Sequence, residues 1–356
     1  MSNKCFRVRI DEKNGKGLVG MDELDHYLLA IIASFPLKRK PAFLFAVATG
    51  KRTGQAVQDS HLFEVTPLFG CVPTLRQVSF DARLQRMQED GLLEITEDGV
   101  GLVTEIETPF RMRFPYIDGF LYQNRTGPFF ERLLLAIQVF SNFKHEQKHY
   151  LPIVRDEAAQ WAVKRWLADH LVGDTKEAVR GRFYAELEQW LEQVDGALYV
   201  PRFSGGDYIG KTALQVASEL GVTPWQYYFA WLNGLHCLFG RLVLDFPLLN
   251  GLMPDAAQGL TSSARKTWQL AEQGVLFENM AGIRHLKEST IQDHIVEIAA
   301  TIPGFNVGSW VDSAMITAMS QQPWRSLKDI KQAFPALDYF QIRVALIARR
   351  SGVICS

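Results

Sequence analysis

The chain lacks most of the marks of an enzyme, a secreted protein or a membrane protein. Its four cysteines (Cys5, Cys71, Cys237, Cys355) are scattered and form no C-x-x-C pair, which excludes the usual ligand spacing of a structural zinc site. His145-Glu146-Gln147-Lys148-His149 spells H-E-x-x-H once, but the eight histidines form no H-x-H cluster, and neither a metal nor a cofactor is expected. No apolar run approaches the roughly 20 residues of a membrane helix. No apolar stretch follows the first basic residues as a secretory signal requires. A charge excess is missing too, because 38 Lys and Arg against 39 Asp and Glu leave a net of −1. A tight, non-specific duplex binder usually carries a basic surplus, so whole-chain charge argues against that class. The expectation is a soluble, cytoplasmic, non-enzymatic protein with no membrane partner.

What is present is a packed and mostly helical chain, its 356 residues 47% hydrophobic and long enough for more than one core. Residues 1–20 are basic and glycine-containing, and read as a flexible arm or an edge strand. Residues 21–108 read as a winged-helix-like domain. Leu24, Tyr27, Leu28, Ile31 and Ile32 share one helix face, Pro41 opens a second helix after the basic link Lys38-Arg39-Lys40, and Leu75 to Asp90 forms a third. Two short apolar strands around the Asp98-Gly99 turn supply the wing. The third helix carries Arg76, Arg83 and Arg86, but Asp81, Glu89, Asp90, Glu94, Glu97 and Asp98 surround them, which favours docking of a protein over reading of a duplex. Local charge agrees: residues 21–107 sum to −5 and residues 259–356 to +2.

Residues 109–255 form a helical, aromatic-rich domain containing Trp161, Trp166, Trp190, Trp225 and Trp231. Aromatics at helical spacing point to a core, with an exposed groove for a peptide or unstacked bases as the alternative. In this region Gly205-Gly206-Asp207-Tyr208-Ile209-Gly210-Lys211-Thr212 matches G-x-x-x-x-G-K-[ST], where Lys211 would neutralise phosphates and Thr212 would hold Mg²⁺ after a strand at Ala197 to Phe203. Two features argue against nucleotide binding. The flanks lack the further buried β runs of a P-loop fold, and Thr212 to Thr223 repeats the spacing of a helix-turn-helix, with Ala217 small, Leu220 and Val222 apolar and Gly221 at the turn.

Residues 256–356 carry the strongest pattern. Between Met280 and Ile298, Ala281 is the small residue a helix-turn-helix needs where its helices cross, Leu286 the buried turn residue, and Ile291, Ile295 and Ile298 the stripe of a recognition helix. Ser289 and Gln292 fit a capping box opening that helix. Ala264 to Gln273 adds an amphipathic helix ended by Gly274. Arg284, Lys287, Ser289, Thr290, Gln292 and His294 are the expected DNA-facing residues, Arg284 and Lys287 toward phosphate, Thr290 and Gln292 toward base edges. Lys328, Lys331, Arg343, Arg349 and Arg350 offer a phosphate-facing patch beside them, or else a solvated face with helix-terminal cations. Glu288, Asp293 and Glu297 lie on the same recognition helix, so its grip is expected to be weak or structure-selective.

Arg284 stands where regulator-type helix-turn-helices usually place an apolar residue. The string Ala281…Arg284…Leu286-Lys-Glu-Ser-Thr-Ile-Gln-Asp-His294 resembles the module appended to the C-terminus of many bacterial RecQ-type helicases, yet this chain has no helicase domains. That combination resembles the YpbB-like proteins of Gram-positive bacteria, as does the run Gly50-Lys-Arg-Thr-Gly-Gln-Ala-Val-Gln-Asp59 with Leu62-Phe63 and Pro67-Leu-Phe-Gly70. The resemblance implies a mainly α fold with an N-terminal winged-helix-like module, a central helical region and a C-terminal helix-turn-helix domain. It also implies an accessory or adaptor role beside a RecQ-type helicase in replication, recombination or repair, at the nucleoid or replication fork. DNA and the single-strand DNA-binding protein are the further candidate partners. The alternatives are a sequence-specific transcription regulator using two helix-turn-helices and, last, a P-loop ATPase.

Overall fold

Helix after helix in this chain opens on a side chain that accepts a hydrogen bond from an otherwise unpaired first-turn amide. Thr53, Asp156, Thr175, Thr223, Thr261, Asp312 and Ser326 all do so. The computed structural model describes residues 20–104, 108–145 and 149–351, with side chains through Arg349. The arm or edge strand expected before residue 20 lies outside them. The described residues are mainly α-helical, with one two-stranded sheet.

Two compact units divide the chain, and both are discontinuous. The first takes the residues up to Tyr27, Thr108–Ile117 and Asn124–Pro254; the second takes Leu28–Glu107, Asp118–Gln123 and Asp255–Ser356. The sequence lays three domains end to end, whereas here the N-terminal module and the helix-turn-helix region share the second unit.

The N-terminal elements are α1 (Glu23–Ala33), α2 (Pro41–Thr49), α3 (Gly54–Leu62), α4 (Gln77–Glu89), β1 (Leu93–Thr96) and β2 (Gly99–Leu102). This is the expected helices-then-hairpin plan with α3 added. Apolar periodicity does not reveal α3, because its buried face includes Asp59, Ser60 and His61. Gly99 has φ +138°, and a Cβ there would stand 2.6 Å from the Arg39 carbonyl. That close approach lets Arg39 bridge to Val100 as a short third strand position. Lys38 pairs with Glu94 at 2.9 Å and Lys40 donates to the Glu97 carbonyl, so the basic link serves as counter-charge to the acidic wing.

Next come the single turns α5 (Phe110–Arg113) and α6 (Gly119–Tyr122), then α7 (Thr126–Lys144), α8 (Glu157–His170), α9 (Lys176–Leu191), α10 (Ala213–Glu219), α11 (Pro224–Phe239) and the single turns α12 (Leu242–Asp245) and α13 (Pro247–Asn250). In the first unit the aromatic residues are core. Phe229 meets Tyr27 at 5.3 Å and Phe110 at 4.8 Å, Phe140 meets Phe183 at 5.0 Å, and Trp190 meets Tyr199 at 4.7 Å. Trp161 and Tyr208 depart from this, being 69% and 50% exposed, and Trp225 and Trp231 are half-buried.

The P-loop spelling is not a P-loop. Where a strand was expected, Gly196–Leu198 and Val200–Arg202 form 3₁₀ turns. Gly205 and Tyr208 exchange backbone hydrogen bonds of 3.0 and 3.1 Å, closing a tight turn rather than an anion cradle. Lys211 pairs with Glu219 at 2.7 Å, and Thr212 caps α10 in a capping box with Gln215. Both residues are committed by local structure. α10 and α11 do form the second helix-turn-helix shape, around Gly221 at φ +67°, but α11 is buried from Phe229 through Phe239 except at Trp231. Its open end, Pro224 to Gln226, carries no lysine or arginine to meet phosphate.

The C-terminal elements are α14 (Ser262–Glu272), α15 (Phe277–Arg284), α16 (Glu288–Thr301), α17 (Ser313–Ser320), α18 (Leu327–Ala333) and α19 (Tyr339–Ser351). α16 packs against α14 and α19, and α3 packs on α19.

Candidate nucleic-acid interface

The turn of the helix-turn-helix is set by His285. Its left-handed backbone, φ +50° and ψ +44°, ends α15 as a C-cap, and the Leu286 amide donates to the Ala281 carbonyl at 3.0 Å. Three residues complete the reversal, and α16 starts at Glu288 with Lys287 as its N-cap. The expected capping box of Ser289 and Gln292 is therefore replaced. Ser289 already lies inside the first turn, and Lys287 has no acceptor to offer, so no side chain caps this helix.

Arg284 and His294, both expected to face DNA, are tied into the protein. The Arg284 guanidinium donates to the Ser263 carbonyl at 2.9 Å, to the Thr267 hydroxyl and to the Ser263 hydroxyl, clamping α15 to α14. His294 is buried, with Nδ1 2.8 Å from the same Thr267 hydroxyl. Burial holds its imidazole below the usual range; the nearby Arg284 charge acts in the same direction, and Asp293 opposes both. Thr267, itself fully buried, links the two; its spacing on an amphipathic helix gave no sign of that role.

Every residue of α16 from His294 through Ala299 is buried, so the helix is a core element beyond its opening turns. The exposed part holds Lys287, Glu288, Ser289 and Asp293, with Thr290 and Gln292 half-buried. This is the end with which a helix-turn-helix reaches base edges. The flanking cations are largely paired within the protein. Arg343 pairs with Asp293 at 2.6 Å and Arg349 with Glu64 at 2.7 Å, while Lys331 donates to the carbonyls of Pro335 and Leu337 at 3.0 and 2.6 Å. Lys328 is exposed on α18. The side chain of Arg350 lies outside the described residues.

At its other end α16 meets the N-terminal motif. Arg52 donates to Gln123 Oε1 at 2.9 Å, to the Thr301 hydroxyl at 2.6 Å and to the Phe120 carbonyl at 3.3 Å, and its guanidinium lies 4.2 Å from the Phe120 ring centre. Burial draws this guanidinium down to about 10 against the upward pull of Glu297. Glu297 accepts from the Thr261 amide at 2.6 Å and hydroxyl at 2.9 Å, and burial raises its carboxyl above the ordinary range despite those bonds. Gly50 is required here: at φ +78° its Cβ would fall 2.1 Å from Gln123 Nε2 and 2.8 Å from Gly70 Cα. The run Gly50 to Gly70 is thus a structural lock on the helix-turn-helix region.

Among the described residues no group of three or more His, Cys, Asp or Glu is placed to hold a metal ion, and no helix is long and apolar enough to cross a membrane. Residues 263–346, from α14 into α19, match a family model described as a helix-turn-helix domain. The chain is 29% identical over 352 residues to Protein YpbB of Bacillus subtilis (strain 168), covering 92% of this chain and 98% of that protein. No solved structure matches. The chain is thus YpbB-like along nearly its whole length, with a helix-turn-helix domain, an architecture of DNA-binding proteins, at residues 263–346.

Proposed function

We propose that this protein is a non-enzymatic accessory factor that works beside a RecQ-type DNA helicase in replication, recombination or repair, touching DNA weakly or structure-selectively through its helix-turn-helix. The observation that carries the proposal is the narrow opening of α16, where Lys287 stands beside Glu288, Asp293 is already paired with Arg343, and the shaft from His294 to Ala299 is core. Affinity for duplex DNA is largely the sum of phosphate contacts, each releasing counterions. A tip with so few cations suits a factor that holds DNA briefly rather than a repressor that occupies an operator. The helicase partner is supported by the likeness of the Ala281 to His294 string to the module fused to such enzymes. Where a function is carried in cis by one protein and in trans by another, proximity is the useful quantity.

The test is unwinding of a forked duplex by a subsaturating RecQ-type helicase, with and without this chain. The chain is expected to raise the unwinding rate, and a Lys287→Ser variant to raise it less. A rate that does not respond to the chain at any concentration rejects the proposal.

A further inference from the structure

Glu288 and Gln292 turn toward a groove of about 910 Å³ on one side of α16. Its walls are Trp268 from α14, Phe277 from α15, Phe305 and Trp310 from the loop after α16, and Phe340 from α19. Phe305 and Trp310 stack at 5.9 Å and 20°, Phe277 meets Trp310 edge-on at 5.5 Å, and Phe340 does so at 6.0 Å. Gln341 Nε2 donates to the Trp310 carbonyl at 3.0 Å and pins the loop. Buried Ile291 and Ile295 form the floor, while Trp268, Phe277, Trp310 and Phe340 keep part of their rings open to solvent. Leu276 is 61% exposed on the same lining.

Charge in the groove has one sign. Glu278, Glu288 and Asp338 line it, all three exposed, and no lysine or arginine does. Each carboxylate sits at a helix N-terminus, whose dipole offsets about half a charge, so the groove stays net negative. Stacked aromatic walls alone suit either unstacked bases or apolar side chains. The carboxylates separate the two, because a phosphate backbone would be repelled where a cation would be drawn in and could also lie over the indole rings.

We propose that this groove is a docking site for a short segment of a protein partner, in which an aromatic or aliphatic side chain is flanked by lysine or arginine. The volume is that of a site holding several side chains. Glu288 and Gln292 belong both to this lining and to the opening turns of α16, whereas Lys287 and Ser289 lie outside it, so the groove adjoins the tip proposed to meet DNA.

Fluorescence anisotropy with the full chain tests it. The probes are dye-labelled synthetic peptides with a central Phe-Leu pair between Lys-Arg flanks, between Ser flanks or between Glu flanks, and a labelled oligothymidylate. The Lys-Arg peptide is expected to bind best, with a loss of about tenfold or more on Glu278→Lys plus Glu288→Lys. Trp310→Ala is expected to weaken it as well. If the charge-reversal variant melts abnormally, Glu278→Gln plus Glu288→Gln replaces it, and the same direction is expected. Equal affinity for the three peptides, no Lys-Arg peptide binding up to about 1 mM, or displacement of that peptide by oligothymidylate would each overturn the proposal.

Discussion

Thr267 carries no charge and no exposed surface, yet its hydroxyl lies between the Arg284 guanidinium and His294 Nδ1 in the middle of the helix-turn-helix. Replacing it by valine keeps the shape and removes a partner of buried His294 and half-buried Arg284, which costs about 1–3 kcal/mol. Denaturant unfolding of Thr267→Val checks this, and an unchanged midpoint would show that the two residues are satisfied without it. Arg284 was legible as an anomaly of the sequence, but its direction was not, because spacing along one helix cannot report a carbonyl offered by another. In the first unit His236 is enclosed, with Nε2 3.0 Å from the Thr126 hydroxyl, and burial lowers its imidazole to about 3. Between that value and the ordinary 6.5 the folded state binds fewer protons than the unfolded one, so stability rises with pH in this window. Acidification below 6.5 should therefore remove about 1.4 kcal/mol per pH unit, with His294 acting in the same direction. Unfolding midpoints at about pH 7.5 and about pH 5 should differ less in His236→Gln than in the parent protein; an equal difference in both would exclude this residue as the source.

At the scale of elements, α16 is two things in one helix, an exposed tip and a buried shaft. The isoleucine stripe made the helix legible from sequence. That it is covered on its other sides was hidden, because His294 and Glu297 look like surface residues until Thr267 and Thr261 supply their partners. α3 was invisible for a related reason, its buried face being partly polar. The P-loop spelling shows the reverse error, a motif with the right letters and no strand before it. The uncapped start of α16 gives a prediction in which folding and binding move oppositely. Lys287→Ser supplies the missing N-cap acceptor and should stabilise the protein by about 0.5–1 kcal/mol, while removing the cation at the tip proposed to meet DNA. Thermal melting and DNA binding measured on the same preparation check the pair. A lower melting temperature would mean that Lys287 packs in a way its N-cap geometry does not suggest.

At the scale of the molecule, the second unit is assembled from segments far apart in sequence. Arg52 reaches Thr301, Gly50 closes against Gln123 and Gly70, and α3 covers α19. The sequence suggested three consecutive domains because local patterning marks where composition changes. It carries no information on which distant segments share a core. A fragment beginning at residue 255 lacks the Arg52 lock and the cover on α19, and should melt broadly and bind a hydrophobic dye, unlike the full chain. A fragment as cooperative and as stable as the whole would show that residues before 255 are dispensable to this fold. The winged-helix plan, the helical middle and the terminal helix-turn-helix were legible, and Glu288 and Asp293, on which the expectation of a weak DNA grip rests, are visible near Lys287 in the sequence itself.

The most direct test of that grip is the salt dependence of binding to forked, single-stranded and blunt duplex DNA, for the parent protein and Lys287→Ser. Weak, structure-selective contact predicts modest affinity at low salt, a preference for the fork, and a slope of log affinity on log salt no steeper than about −3, reduced by nearly one in the variant. A slope steeper than about −6 on blunt duplex, or a variant indistinguishable from the parent, would contradict it.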